Sequence, residues 1–249
     1  MDVAIRGDRS CCLSMQLGPR TWFFALSRGF GSVDGLPVER ALLERLRQEC
    51  ERRLRGDRFR RAIDRPHAAA TAVLAALSRV NGELYVRAAA HDDYVSAAAS
   101  FTAALIVRGR AYVMHAGGTA AYLAHHGDVV ALSGEDLFEE SGRPLLGRTL
   151  GTTPSLDVAV SSVALCEGDV IVLVGHRVPG EIDRAALIAH VERSGPSERV
   201  LVVRFERDDA CAVDADECER VSRRAVRLAP LFARVAAALA FILAVACTY

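Results

Sequence analysis

The side chains that could do chemistry in this chain of 249 residues are seven cysteines, seven histidines and a scatter of carboxylates. The cysteines, Cys11, Cys12, Cys50, Cys166, Cys211, Cys218 and Cys247, contain no C-x-x-C pair and no histidine at zinc-site spacing, so structural zinc is not expected. Their odd count and irregular spacing, with no apolar leader at the start of the sequence, fit a reducing compartment where a buried thiol behaves as a small hydrophobe. Cys11 and His176 are the residue types of a thiolate–imidazole nucleophile pair, but no third group that would orient the base is evident. His125 and His126 fall in an expected hairpin turn and are expected in solvent, since neighbours along a strand point to opposite faces. His115 lies at an expected strand end.

The elements that must position these groups follow from apolar periodicity. Residues 3–5 and 22–26 are short apolar runs on either side of a polar stretch with Gly and Pro, the pattern of two strands joined by a turn. From Pro37 the residues Val38, Leu42, Leu46, Cys50 and Leu54 recur at helical spacing, which predicts an amphipathic helix. A second, alanine-rich helix is expected from residue 66 to about 79, closed by the Asn81-Gly82 turn signal. Apolar runs at 103–107, 111–116, 120–124 and 129–132 are separated by Arg108-Gly109-Arg110, Gly117-Gly118 and His126-Gly127-Asp128, which predicts an antiparallel meander. Strands at 156–160 and 170–174, a helix over 181–193 and a strand at 200–205 complete the globular part.

A hydrophobic fraction of 51% against 25% charged is that of a folded protein with one core. The formal net charge of +0 argues against a nucleic-acid partner, which would call for a cationic surplus. Residues 208–219 are acidic and poor in large apolar groups, as a solvated spacer is. Residues 228–249 are strongly apolar apart from Arg234 and approach the ~20 residues that cross a bilayer; the alternative is a final core helix. Arg220, Arg223, Arg224, Arg227 and Arg234 cluster at its start, so the positive-inside rule predicts a single-pass anchor with the globular domain in the cytoplasm. The expected organisation is a domain over 1–206, a linker and basic juxtamembrane segment over 207–227, and a transmembrane helix over 228–249.

The run Ala103-Ala104-Leu105-Ile106, Arg110-Ala111-Tyr112-Val113, Gly117-Gly118-Thr119-Ala120-Ala121-Tyr122-Leu123 and Gly127-Asp128 resembles the metal-dependent serine/threonine phosphatases of type 2C, in which a strand pair leads to a Gly-Asp-Ser-Arg-Ala-Tyr segment. Leu146-Gly147-Arg148-Thr149-Leu150-Gly151 is similar to the family's Leu-Thr-Arg-Ala-Leu-Gly, and Leu165-Cys166-Glu167-Gly168-Asp169 to its Leu-x-x-Gly-Asp. Residues 199–204 resemble its late Asn-Val-Thr-Val-Val strand, and residues 23–32 the strand entering its Asp-Gly-Met-Gly-Gly loop. Several weak segments in the correct order carry the resemblance together. It implies an α+β fold: a four-layer α-β-β-α sandwich of two antiparallel sheets flanked by helices, here with the C-terminal transmembrane helix added.

The family's chemistry, as the resemblance implies it, uses two magnesium or manganese ions bridged by aspartates to activate the attacking water. On this sequence the bridging aspartate falls on Arg28. The Asn-Glu-Asp motif falls on Arg9-Ser10-Cys11, so Cys11, or Ser10 if the register slips, replaces another acid. Ser-Asp-Gly falls on Gly175-His176-Arg177, and only Glu198, followed by Arg199, keeps a carboxylate. A guanidinium stays protonated and cannot ligate a cation; at about 4 Å and an effective dielectric of ~20, each unit-charge interaction is about 4 kcal/mol. No metal and no cofactor are therefore expected, although Asp34 could shift the register and Asp8, Asp92 or Asp136 could supply oxygens. Arg6 matches the family's phosphate-contacting arginine, and Arg6, Arg28 and His176 are expected to form an anion pocket. The plainer alternative is a salt-bridge cluster of these arginines with Glu198 or Asp34. The function expected is a membrane-tethered pseudophosphatase that binds a serine/threonine kinase, a phosphoprotein or an active phosphatase. The alternatives are a divergent magnesium- or manganese-dependent serine/threonine phosphatase and a purely structural module.

Overall fold

Period-2 alternation over residues 21–30 sends Phe23 and Ala25 into one apolar core and Phe24 and Leu26 into another, so this strand is buried on both faces. The layers follow from it. In the computed structural model the described residues are 1–206 without 90–96, 135, 141–142, 179, 181 and 196–197. The chain divides into two compact units, Met1–Ala212 and Val213–Tyr249, and every described residue lies in the first. The linker and apolar segment expected over 207–249 lie outside the described residues, as do Asp92, Cys211, Cys218 and Cys247.

The elements in order are β1 (Asp2–Gly7), β2 (Cys12–Gly18), β3 (Thr21–Phe30), β4 (Ser32–Val33), β5 (Leu36–Pro37), α1 (Val38–Leu54), α2 (Asp57–Ala62) and α3 (Pro66–Ala89). Then come β6 (Ala98–Val107), β7 (Arg110–Ala116), β8 (Ala120–His125), β9 (Asp128–Ala131), β10 (Leu137–Glu140), β11 (Arg143–Leu146), β12 (Ala159–Ala164), β13 (Val170–Val174), α4 (Arg184–Arg193) and β14 (Arg199–Arg204). One five-stranded antiparallel sheet has the order β12-β7-β6-β3-β2 and the other β1-β14-β13-β8-β9. We call them the β3 sheet and the β14 sheet.

Leu42 and Leu46 of α1 and Val73, Leu77 and Leu84 of α3 pack on the outer face of the β3 sheet. Phe24, Leu26, Ile106, Leu173, Leu201 and Val203 fill the space between the sheets. Leu187 of α4 packs with Tyr122, Val172 and Val200 on the outer face of the β14 sheet. Each large side chain buried this way contributes about 1.5–3 kcal/mol of transfer free energy, and the four layers are the α-β-β-α sandwich the resemblance implied.

Several elements differ from the sequence expectation. Residues 3–5 and 22–26 do not form a hairpin: β1 pairs with β14, β3 pairs with β6, and β2 lies between them in the chain. The expected meander is two hairpins in different sheets, β6–β7 and β8–β9, and the chain crosses over at Gly117-Gly118. The second helix runs through Asn81-Gly82 to Ala89 because tertiary partners override the turn signal. Asn81 is buried, accepts from the Gly151 amide at 2.8 Å and donates to the Thr153 carbonyl at 2.9 Å. The strand expected at 156–160 is β12, shifted to residues 159–164. Among the described residues no helix is long and apolar enough to cross a membrane.

Candidate functional site

The site residues gather where the two sheets run out at one end of the sandwich. Phe24 and Leu26 face the inter-sheet core, so alternation sends Arg28 to the same side at the end of β3. Gly29 faces the other way, against α1, where a Cβ would collide with Val38 and Glu39. Leu201 and Val203 of β14 face the inter-sheet core too, so Arg199 at the start of that strand points toward the β3 sheet. β13 ends at Val174, Gly175 follows it just before His176, and a Cβ on Gly175 would press on the Arg199 Cβ at 3.3 Å.

The β1–β2 connection brings the remaining groups. Asp8 caps a single 3-10 turn over Arg9–Cys11, accepting from the Ser10 amide at 2.9 Å and the Ser10 hydroxyl at 2.7 Å. These hydrogen bonds hold its carboxyl below the usual range. The Cys11 thiol donates to the other Asp8 oxygen at 3.3 Å and is pushed up to about 11, chiefly by burial. A thiol so protonated is not a nucleophile at neutral pH, and no hydrogen bond joins it to His176 among the described residues.

Arg28, His176, Glu198, Glu39 and Arg199 share one electrostatic environment. Burial lowers the Arg28 pKa, and repulsion from Arg199 adds to it against the attraction of Glu39 and Glu198. Burial likewise lowers that of His176, followed by the Arg28 charge. His176 is thus neutral near pH 7, while Arg28 keeps its charge. Arg199 donates to Glu39 at 3.0 Å; Glu198 accepts from the Ser194 hydroxyl at 3.0 Å and lies 3.9 Å from His190. Asp34 is held by Arg45 and Arg87, each at 2.7 Å. Among the described residues no hydrogen bond or ion pair holds Arg28, whose side chain is exposed.

Arg28 feels the charge of Glu198, and His176 the charges of Arg28 and Glu198, while Arg6 lies on another face. Arg6 pairs in register with Val200, which faces α4, so its side chain leaves the opposite face of the sheet from Arg199. Arg199 itself was missed by the sequence reading, which noted it only as a neighbour of Glu198; strand parity from Leu201 would have shown where it points. Gly118 was missed too. It stands at the aspartate of the Gly-Asp-Ser-Arg-Ala-Tyr segment and offers no side chain, and its amide donates to Ser100 at 3.0 Å.

Two buried histidines lie elsewhere. His115 meets the Thr102 hydroxyl at 2.9 Å, and its other nitrogen is 3.4 Å from Asp136, an ion-pair distance without hydrogen-bond alignment. Asp136 also accepts from Arg148 and from the Gly117 amide, so it fastens the crossover rather than offering free oxygens for a metal. His125 is buried, against the expectation of a solvated turn, because its ring bonds Asp169 at 2.6 Å; His126 is exposed. His125, Cys166 and Asp169 have ligand atoms within 4.8 Å of one another, and the His125 ring is already bonded to Asp169.

No protein-family model and no curated protein matches the sequence. Solved structures do. The serine/threonine phosphatase PstP/Ppp of Mycobacterium tuberculosis superposes with a TM-score of 0.57 at 14% identity, covering 83% of this chain and 99% of that one. This is the type 2C phosphatase fold. A serine/threonine phosphatase from Staphylococcus aureus matches at TM-score 0.60 and 11% identity, over 83% of this chain and 94% of its own. PppA of Pseudomonas aeruginosa, a regulatory component of its T6SS, matches at TM-score 0.58 and 18% identity, over 82% and 96%.

The type 2C fold implies a two-metal centre, and the donor set among the described residues does not fit one. Hard dications need several carboxylate oxygens converging on each ion. The carboxylates that feel the charge of Arg28 or Arg199 are each engaged: Asp8 by Ser10 and Cys11, Glu39 by Arg199, and Glu198 by Ser194. Two guanidinium groups, a glycine and an imidazole stand at or beside the remaining positions, which suits an anion better than a cation.

Proposed function

We propose that this chain is a non-hydrolysing domain of type 2C phosphatase fold that binds a phosphorylated partner at the end of the sandwich where Arg28 and His176 meet. The observation that carries the reading is Arg28: an exposed guanidinium without an ion-pair partner among the described residues, beside acids that are otherwise engaged. A charge-assisted hydrogen bond to phosphate contributes about 1.5–3 kcal/mol, and a bidentate one adds geometric selectivity. His176, neutral at pH 7, can add one ring N–H. In this reading Arg6 takes no part in the primary contact. The partner class is a phosphoserine or phosphothreonine protein, a kinase phosphorylated on itself included. We propose further that residues 228–249 hold the domain at the inner face of a membrane.

The decisive experiment pairs turnover with binding. With manganese and p-nitrophenyl phosphate the purified protein is expected to show no hydrolysis above buffer. Calorimetric titration with a phosphoserine peptide is expected to give saturable heat, and Arg28→Ala is expected to weaken it at least ~10-fold, as loss of a charged hydrogen bond should. Manganese-dependent turnover would instead support a divergent phosphatase hydrolysing phosphoserine or phosphothreonine, with the acids rearranged around metal. Absence of both turnover and heat would leave the structural module.

A further inference from the structure

We infer that Arg199 is a built-in cation that takes over the charge-bridging part of a metal centre, so that the two sheets are fastened at this end by protein groups alone. The inference stands apart from the proposed phosphate binding, since it concerns how the cleft is held and not what enters it.

Arg199 opens β14 in one sheet, and its guanidinium reaches elements of two other layers. One Nη donates to Glu39 of α1 at 3.0 Å, and the other lies 3.5 Å from the Ser27 carbonyl on β3 of the facing sheet. Those partners are 160 and 172 residues away in sequence, so the contact ties one end of the domain to the other. The pair is mostly removed from water, with side-chain exposures of 17% for Arg199 and 9% for Glu39. Its charge is felt by Asp8, Cys11, Arg28 and His176, the groups at or next to the positions where the family's metal ligands are implied. The glycine at 175 leaves room for the side chain to pass, since a Cβ there would crowd it.

A surface ion pair of this length would contribute little, because water screens both ends. A buried pair behaves differently. Removing one partner strands the other charge in a poorly solvated site, whereas removing both leaves no orphan. A metal centre of the kind the resemblance implies would join acidic residues through cations. Here the sign pattern is inverted: the cation is covalently part of β14 and the acid is on α1. The Arg199 Nε is buried without a hydrogen-bond partner, which marks a donor held in place by the two contacts of its neighbours and not by a full set of its own.

The test is thermal unfolding of the full chain with millimolar manganese, magnesium or chelator. The wild type is expected to melt at the same temperature in all three, and a manganese-dependent rise would overturn the inference. Arg199→Met is expected to lower the melting temperature by about 10 °C, while Arg58→Met on the exposed face of α2 leaves it unchanged. Equal melting of the two variants would overturn it. Arg199→Met combined with Glu39→Leu should recover part of the loss, and additive losses would count against a bridging charge. Should Arg199→Met not fold, Arg199→Lys, which keeps the bridging charge, is expected to melt between the wild type and the double variant, and melting below the double variant would overturn the inference.

Discussion

His115 shows how a single side chain makes the domain sensitive to acid. Burial lowers its pKa below the usual 6.5, Asp136 opposes the shift, and Arg148 and Arg177 add to it. A base with a depressed folded pKa contributes stability that is complete above its unfolded pKa of 6.5 and is lost as pH falls below that value, since the unfolded chain then binds the extra proton. The wild type should therefore lose stability relative to His115→Gln as pH is lowered from about 7 to about 5, measured by urea unfolding at each pH. A constant gap would mean that the Asp136 carboxylate accommodates the charged ring. The same residue marks a limit of sequence reading: its placement under the Gly117 crossover depends on Thr102, Asp136 and Arg148, which lie on separate segments. The position of Arg28 near the end of a strand, by contrast, was legible, because the apolar run leading into Gly29-Phe30-Gly31 lies within one local segment.

At the scale of elements, the site depends on how strands end. Gly7 closes β1 at φ +80°, and a Cβ there would run into the Glu198 carbonyl just before β14. Both the left-handed backbone and the close approach exclude a side chain. Gly7→Ala is expected to cost about 2–4 kcal/mol in chemical denaturation, since strain and displacement of the neighbouring strand add, and to weaken phosphopeptide binding by moving Glu198 and Arg199. An unchanged midpoint would show that the β1 edge relaxes freely. Periodicity identified the helices at 38–54 and 184–193 well, because each presents one apolar face to a sheet. β2 was absorbed into a polar loop although Leu13, Met15 and Leu17 alternate along it, since the Gly and Pro of that stretch read as a turn. Sheet membership could not be read at all: alternation tells which residues face a core, not which of the two.

For the whole molecule, the resemblance gave the α-β-β-α layering, and the structural neighbours bear that out at TM-scores from 0.57 to 0.64. At identities of 14% and 12% the layering is shared while most residues differ in type. The proposed membrane tether belongs to this scale as well. Full-length protein expressed in cells is expected to sediment with membranes and to be released by detergent but not by high salt, because an apolar span is held by burial and not by charge. Release by salt alone would point to a peripheral association through arginines.

The pairing of β1 with β14 places the first and last described strands side by side, and the amino group of Met1 lies 3.1 Å from Glu206. The β3 sheet, in contrast, draws its strands from residues 12–164 alone. A ribosome therefore releases everything that sheet requires well before the last strand of its partner emerges. Closing the largest loop comes last, with the entropic cost that long closure carries, so the surroundings of Arg28 are the part of the nascent domain that must wait until β14 has been made.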